Sequence, residues 1–329
     1  MTGLFRNQHP FTVVLLFFLG IAMRPAAFLM PVLPQRSPGD GYLYTLFADQ
    51  LVSAFQSSTW ILALIAYCFV FLQALLLNAQ MEKDKLLPRT GFLPALSYLL
   101  LTALLPDWWG LSALMVSTTL VIKIWGDVIR VFNAGRPGNI VFNAGILMGL
   151  SALIFFPSII FAAFIFFAPA VMGTPRFRDW VSAFVGLLMP FYFFLSWLYL
   201  TSGMHHAHLT FAIPFRLPRL EFIPLTWVSL ALLLLPILWG VGLLNRQLPR
   251  MLIRNRKIWT LFYSYLFLGI VIGFWGAGQG FGSFYLAFVP VGAFHSIVYE
   301  NSGRQWLSRL LLWTTIFAIL SWNFLLLNK

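Results

Sequence analysis

Two adjacent segments decide the fold: WILALIAYCFVFLQALLL at residues 60–77 and NAQMEKDKLLPR at residues 78–89. The first has 18 residues and no charge, which is within the length range of a transmembrane helix. The second places Lys83, Lys85 and Arg89 in one short loop. The same layout recurs along the chain, with Lys and Arg concentrated in every second loop. This pattern predicts a protein that crosses a membrane many times.

The composition supports the same conclusion. Hydrophobic residues make up 60% of the chain and charged residues only 9%, and the mean hydropathy is +0.86. A soluble domain has about 25% charged residues, so this chain could not cover a water-facing surface. The net charge of +12 is explained by cations kept in cytoplasmic loops, and no nucleic-acid partner is predicted. The single cysteine, Cys68, excludes an intramolecular disulfide.

The predicted fold class is all-α, with residues 1–329 as one integral-membrane domain. It is a polytopic bundle of about eleven transmembrane helices, since a span requires roughly 20 mostly apolar residues. The predicted spans are 11–30, 58–77, 91–106, 111–131, 139–156, 158–173, 180–200, 223–244, 258–275, 281–299 and 308–327. Pro157, between the fifth and sixth spans, either kinks one long helix or marks a tight hairpin.

The distribution of cations predicts the orientation. If the N-terminus is cytoplasmic, 15 Lys and Arg fall in inner segments and 4 in outer segments, as the positive-inside rule requires. The four outer cations are Arg36, Arg216, Arg219 and Lys329. The bundle is therefore predicted to be N-inside and C-outside, and the loss of one span would scramble this alternation.

The first long outer segment, residues 31–57, predicts a surface helix. Near 42–55 its apolar residues follow helical spacing, which is typical of a short helix lying on the periplasmic membrane surface. These apolar residues are Leu43, Leu46, Phe47, Leu51 and Phe55.

The second long outer segment, residues 201–222, contains His205, His206 and His208. Three histidines can bind zinc, but Glu221 is the only acidic residue near in sequence, and adjacent histidines point apart in most backbones. We interpret the segment as an exposed polar loop and predict no metal site.

Charged residues inside apolar runs are costly in lipid and often functional. Arg24 has no acidic neighbour in its span, and Pro25 beside it should perturb the helix. Close to the outer interface, Arg24 either clamps a phosphate or carboxylate or bonds to headgroups and backbone carbonyls. Lys123 and Asp127 share one helix face at i,i+4 spacing. They form either a self-neutralising cluster, with Arg130, or a polar substrate-binding site.

The first outer segment also carries Arg36, Asp40 and Asp49 beside the predicted surface helix. This arrangement resembles the membrane glycosyltransferases of the C superfamily, which place an acidic residue there and use a polyprenyl-phosphate sugar donor. The resemblance implies that Asp40 and Asp49 are candidate catalytic residues, because an aspartate can act as base for an incoming hydroxyl. Arg24 and Arg36 are the corresponding candidates for phosphate contacts.

The inner loop 245–257 carries five cations in thirteen residues. It is predicted to lie on anionic lipid headgroups, or alternatively to dock an envelope protein partner. The sequence contains no Walker loop, dinucleotide glycine fingerprint, nucleophile elbow or HExxH motif, and no cofactor is predicted.

A second resemblance covers about the middle 40% of the chain, from Asn78 to about Leu200. It rests on the Lys-rich loop with Pro88 and Arg89, Pro94, Pro106, Asn143-Ala144-Gly145, Ser151, Pro157, Pro-Arg-Phe-Arg-Asp-Trp at 175–180, Gly186 and Pro190-Phe191-Tyr192. These motifs resemble a family of multipass inner-membrane proteins of Bacteroidota-type bacteria that is defined by a domain of unknown function. The resemblance implies a bacterial inner membrane and a role in the envelope, and it assigns no activity to any residue.

Together, these observations predict a multi-pass protein of the bacterial cytoplasmic (inner) membrane that acts in cell-envelope assembly. Its predicted substrate is a lipid-linked polyprenyl phosphate or an anionic lipid, and its partners are membrane lipid and a lipid-linked glycan. Two alternatives stay open. One is a transporter or flippase with a water-accessible cavity containing Arg24, Lys123 and Asp127, and the other is a non-catalytic membrane subunit or scaffold.

Overall fold

The structure is a computed structural model that describes residues 5, 10–34, 37, 39–133, 137–173, 176–201, 224–275, 281–300 and 305–328. The described part of the chain is 86% helical and contains no strand. Its helices are α1 (Pro10–Ala22), α2 (Pro25–Leu29), α3 (Tyr42–Ala54), α4 (Trp60–Lys83), α5 (Leu93–Ala103), α6 (Ala113–Ile129), α7 (Pro137–Ile154), α8 (Ala162–Met172), α9 (Phe177–Leu200), α10 (Pro224–Gln247), α11 (Ile253–Trp275), α12 (Phe288–Glu300) and α13 (Gln305–Leu327). The all-α prediction is confirmed.

Seven helical segments of the described chain are long and apolar enough to cross a membrane. They match seven of the predicted spans: 58–77, 139–156, 180–200, 223–244, 258–275, 281–299 and 308–327. The other four predicted spans are shorter helices. The first span is divided into α1 and α2 around Arg24, the third is the 11-residue α5, the fourth is the 17-residue α6, and the sixth is a 3₁₀ turn followed by α8.

Two elements lie at the centre of the bundle. Every residue of α5 is buried, and 89% of the segment Gly282–Glu300, which contains α12, is buried inside the protein. The corresponding fraction is only 28% for α9 and for the span that contains α10. These outer helices expose large apolar side chains such as Tyr192, Phe193 and Leu238. Exposure of these apolar faces to water would be unfavourable, whereas their contact with lipid is favourable.

Segments predicted for the same side of the membrane contact one another. At one end, Trp108 Nε1 donates to Phe281 O at 2.9 Å, and Asp107 Oδ2 accepts from Phe281 N at 2.9 Å. At the end with the basic loops, Arg254 Nη2 and Asp84 Oδ1 form a salt bridge of 2.6 Å. This is the pattern that helices running alternately up and down would give.

The chain reverses direction around Pro157. Helix α7 ends at Ile154, Phe155 is extended, and a 3₁₀ turn leads into α8. The far ends of both helices return to the end with the basic loops, because Ser182 Oγ donates to Gly138 O and Lys257 Nζ donates to Met172 O. Of the two alternatives left by the sequence, the hairpin is correct.

Helix α3 confirms the helix predicted near 42–55. It packs on the protein through Tyr44 and Ala48, which are buried, and Tyr44 Oη donates to Leu111 O at 3.0 Å. Phe47, which belongs to the predicted apolar stripe, is 39% exposed. Leu43 and Leu51 of the same stripe are half-buried and pack against the core, so the stripe lies partly on the protein and leaves some apolar surface outside the bundle, as an interfacial helix does.

Candidate anion site at Arg24

Arg24 lies at the break between α1 and α2, where Pro25 begins the second helix. The break is held by Asn323 of α13. Asn323 Oδ1 accepts from Ala26 N at 3.0 Å, and its Nδ2 donates to Met23 O at 3.0 Å. One amide side chain thus satisfies a donor and an acceptor that the interrupted helix leaves without intrahelical partners. The break is a built feature of the fold.

The guanidinium of Arg24 is buried, with only 3% of the residue exposed. Its Nη2 donates to Thr102 Oγ1 at 2.7 Å and to Leu99 O at 3.1 Å. Its Nη1 has one long bond of 3.5 Å to Gly20 O, and its Nε has no hydrogen-bond partner. Because a guanidinium has five N–H donors, part of its hydrogen-bonding capacity is unused.

Within the described chain, no carboxylate forms an ion pair with Arg24. The titratable groups that interact with it electrostatically are Tyr67, Tyr98 and Tyr285. The guanidinium carbon lies 5.5 Å from the centre of the Tyr67 ring, which is cation–π distance. Tyrosine rings and hydroxyls stabilise a cation only in part, so the site carries an uncompensated positive charge.

Gln73 of α4 joins the elements around this charge. Its Oε1 accepts from Tyr98 Oη at 2.7 Å and Tyr285 Oη at 2.9 Å. Its Nε2 donates to Met115 O at 2.7 Å and Thr119 Oγ1 at 2.8 Å. All four hydrogen-bonding positions of the amide are filled. Gln73 is therefore a structural hub that links α4, α5, α6 and the turn before α12.

The site therefore consists of a buried cation with unused donors, held in place by a satisfied polar network. A guanidinium in such a position can bind a phosphate or carboxylate through charge-assisted hydrogen bonds. The bonds to Leu99 O and Gly20 O also match the alternative in which Arg24 bonds to backbone carbonyls. Sequence reasoning found Arg24 but missed Gln73, Tyr98 and Thr102, whose only signal is their polarity inside apolar runs.

Lys123 and Asp127 lie in a different environment. Lys123 Nζ and Arg130 Nη1 both contact Asp127 Oδ1, at 2.9 Å and 3.2 Å. The Lys123 side chain is 46% exposed and points out of the bundle, whereas Arg24 is buried inside it. The cluster has the self-neutralising geometry that was one of its two interpretations, and a substrate-binding role for it stays a prediction.

The two candidate catalytic aspartates also differ. Asp40 is 9% exposed, and its Oδ2 accepts from Ser37 N at 2.7 Å. Burial raises the pKa of this carboxyl from 3.8 to about 7, and the hydrogen bond from Ser37 N opposes that rise. Asp49 is exposed and lies seven residues beyond Tyr42 on α3, which is about 10 Å along the helix. Arg36 lies outside the described residues.

The basic loop 245–257 is divided between structural and exposed cations. Arg254 pairs with Asp84, and Lys257 donates to Met172 O. The side chains of Arg246, Arg250 and Arg256 are exposed. These three remain available for lipid headgroups or a protein partner.

No metal site is evident in the described part of the chain, where no three His, Cys, Asp or Glu residues come together. His205, His206 and His208 lie outside that part. His295 lies within the described chain and is buried, with its Nε2 2.9 Å from Leu233 O. It is a packing residue between α12 and α10.

Comparison of the chain with protein-family models, curated proteins and solved structures finds no match. The resemblance to the inner-membrane family of Bacteroidota-type bacteria and the resemblance to C-superfamily glycosyltransferases both stay predictions.

Proposed function

We propose that this protein handles an anionic, lipid-linked substrate during assembly of the bacterial cell envelope, and that Arg24 contacts the phosphate of that substrate. The observation that carries the proposal is the burial of Arg24 with no carboxylate partner among the described residues and with Nε unused. A charge in such a place is unfavourable unless an anion completes it. A polyprenyl phosphate combines that anion with a chain suited to lipid.

The position of Arg24 supports a lipid substrate. It contacts the C-terminal half of α5, near the end that also carries Trp108 and Asp107. At about 1.5 Å per residue, Arg24 is some 20 Å from the start of the first span. With the N-terminus cytoplasmic, as the cation distribution favours, this is the outer half of the inner membrane. Exposed Phe18 and Leu29 flank the break, so an acyl or prenyl chain has an apolar surface beside the site.

Asp40 is the candidate acid or base of a glycosyltransferase-like reaction. A carboxyl with a pKa of about 7 can exchange a proton with an incoming hydroxyl near neutral pH, which an ordinary aspartate does less well. Asp49 is the second candidate because it is exposed on α3. In this version of the proposal, Asp40→Asn and Asp49→Asn abolish complementation of a deletion strain without lowering the protein level. Full activity of both variants would remove the catalytic role and leave the binding role.

The binding role is tested by mass spectrometry of lipids that co-purify with the protein in native-membrane nanodiscs. We expect a polyprenyl phosphate or glycolipid to be retained by the wild type, reduced in Arg24→Lys and absent in Arg24→Gln. Thr102→Val is the structural control, because it loosens Arg24 without removing the charge and should keep most of the lipid. Bulk phospholipid alone together with a stoichiometric protein partner would overturn the proposal in favour of a membrane subunit.

A transporter or flippase is the second candidate, and the break at Arg24 is the observation that favours it. Discontinuous helices form the substrate sites of many transporters. This function requires Arg24 to become accessible from both sides of the membrane. Cysteine labelling at Met23 and Ala27 from each side tests it, and protection of both positions from both sides would count against transport.

A further inference from the structure

Helix α6 is buried except along one narrow stripe. The residues of the helix that are not buried are Val116, Thr119, Leu120 and Lys123. Their spacing of three and four residues places them on one face. Arg130, which follows the helix at the same spacing, is also exposed. The described helices therefore leave a groove whose floor is this stripe, and we call it the α6 groove.

The α6 groove lies between α4 and α7. Met115, one residue before Val116, accepts a hydrogen bond of 2.7 Å through its carbonyl from Gln73 of α4. Ser117, one residue after Val116, shares a hydrogen bond of 2.7 Å with Ser151 of α7. Because successive residues of an α-helix are about 100° apart around its axis, Val116 points into the gap between the two neighbouring helices.

The sides of the α6 groove are apolar. In helical projection, Leu76 of α4 and Leu147 of α7 lie on the sides of their helices that flank the stripe. Both are half-buried and pack against the core. Leu72 and Leu150, one turn from them, are 45% and 37% exposed. A groove with such walls inside a membrane suits a hydrocarbon chain, which needs no hydrogen-bond partner.

Two cations lie at the end of the groove nearest the basic loops. This end is identified by Gln80, in the last turn of α4, which donates to Ile122 O at 3.0 Å. The side chains of Lys123 and Arg130 are 46% and 51% exposed. Because Lys123 Nζ and Arg130 Nη1 lie 2.9 and 3.2 Å from the same oxygen of Asp127, they are within about 6 Å of each other.

This cluster keeps one positive charge in excess. Asp127 balances one of the two cations, and no second carboxylate of the described chain forms an ion pair with either of them. Two cationic groups this close can bind the oxygens of one phosphate through charge-assisted hydrogen bonds. The cluster therefore fits a ligand with a single negative charge.

The order of these features along α6 matches a phospholipid. The cations are nearest the membrane surface, and Leu120 and Val116 follow at about 5 and 10 Å toward the membrane centre. A lipid of that leaflet places its phosphate at the surface and its chains toward the centre. A soluble anion would leave the apolar walls uncovered, and a zwitterionic lipid would bring a cation that the excess positive charge repels.

We propose that the α6 groove binds an anionic phospholipid of the leaflet at the end with the basic loops. The phosphate lies between Lys123 and Arg130, and one acyl chain lies along Leu120 and Val116. The site is independent of the function proposed at Arg24, whose contacts are on α5, so either can fail without the other.

The test is lipid binding to the full chain purified in detergent, measured by titration and native mass spectrometry. The probes are phosphatidylglycerol and phosphatidylcholine with identical chains. We expect saturable binding of phosphatidylglycerol that is about fivefold tighter than that of phosphatidylcholine, which is the effect of one cation near an anionic lipid. An excess of inorganic phosphate should not displace the lipid.

Charge variants at the cluster should change this preference in opposite directions. Lys123→Gln removes the excess charge but leaves Asp127 paired with Arg130, and it should weaken phosphatidylglycerol binding about fivefold. Asp127→Asn leaves both cations unbalanced and should strengthen that binding by a similar factor. Arg178→Gln is the control, because Arg178 is exposed at the same end of the bundle but on α9, and it should change neither lipid.

A second pair of variants tests the chain position. Leu120→Trp fills the floor of the α6 groove and should weaken the binding of both lipids. Leu238→Trp is the control, because Leu238 is 71% exposed on α10, and it should leave both affinities unchanged. Equal effects of the two tryptophan substitutions would place the lipid elsewhere on the bundle.

Four further results would overturn the proposal. They are equal affinities for phosphatidylglycerol and phosphatidylcholine, equal losses in Lys123→Gln and Arg178→Gln, displacement of the lipid by inorganic phosphate, and tighter Lys123-dependent binding of a polyprenyl phosphate than of phosphatidylglycerol. The last result would assign the groove to a lipid-linked substrate. Arg24→Gln separates the two sites, because it should leave phosphatidylglycerol binding unchanged.

Discussion

Thr102 Oγ1 accepts a hydrogen bond of 2.7 Å from Arg24 Nη2 and donates one of 2.8 Å to Tyr98 O. The hydroxyl thus connects a buried cation to the backbone of α5, the helix in which every residue is buried. The two residues are 78 positions apart in sequence, so only the folded bundle brings them together. The charge at the break between α1 and α2 is held in one position by this contact.

Thr102→Val should lower the free energy of unfolding by about 1–3 kcal/mol, because it removes an acceptor from a buried charge. Neutral polar contacts between membrane helices average only about 0.6 kcal/mol, so the charge decides the size of the effect. Thr314→Val is the control, since Thr314 Oγ1 also donates to a carbonyl four residues earlier but is exposed. Unfolding of both variants by denaturant in detergent gives the comparison, and equal effects would refute the role of Thr102.

Removal of the Gln73 side chain should strongly destabilise the protein. Gln73→Met leaves the hydroxyls of Tyr98 and Tyr285 without their shared acceptor, and we expect a loss of about 2–4 kcal/mol in unfolding free energy. Gln80 of the same helix is the control. It donates one bond, to Ile122 O, and its Oε1 already has no partner, so Gln80→Met should cost less than half as much.

A double-mutant cycle tests the mechanism of that loss. If the unpaired hydroxyls cause it, Tyr98→Phe should be less destabilising in Gln73→Met than in the wild type, with a coupling energy of about 1 kcal/mol. Additive effects would show that the loss comes from packing at Gln73.

The sequence predicted the helices whose apolar runs are long, because each run alone meets the length requirement of a membrane. It overestimated the lengths of α5 and of the first helix. α5 is sheltered by other helices, so it needs no lipid-length run, and Pro25 ends α1 early. The helix at 42–55 was predicted from spacing, but the burial of Tyr44 and Ala48 was not, because both lie outside the predicted apolar stripe.

For the candidate site, the sequence indicated Arg24 because charges in apolar runs are rare. It could not indicate Gln73 or Thr102, since a polar residue in one helix does not reveal which distant residue it bonds to. Nor could it separate Asp40 from Asp49, which share one segment and differ in burial.

The close packing of α7 and α9 depends on glycine. A Cβ added at Gly149 would lie 2.6 Å from Leu187 O, a backbone atom of α9. Gly149→Ala should therefore push the helices apart and destabilise the protein by about 1–3 kcal/mol. Gly242→Ala in α10 meets no atom within 4 Å and should stabilise its helix by about 0.5–1 kcal/mol. Thermal unfolding in detergent measures both, and an unchanged midpoint for Gly149→Ala would contradict the contact.

Asp40 should make stability depend on pH in the direction opposite to an ordinary paired aspartate. Its pKa is about 7 in the folded protein against 3.8 normally, so the folded state keeps a proton that the unfolded chain has lost. Between about pH 4 and 7, the free energy of unfolding therefore falls as pH rises, and it falls no further above pH 7.

Asp40→Asn keeps an acceptor for Ser37 N and cannot ionise, so it should remove this slope and be more stable than the wild type at pH 8. Asp49→Asn removes one carboxyl at an exposed position of the same segment and is the charge-matched control. The measurement is the unfolding free energy of the three proteins from pH 4 to pH 8, and parallel profiles for the wild type and Asp40→Asn would mean that Asp40 is ionised in the folded protein throughout.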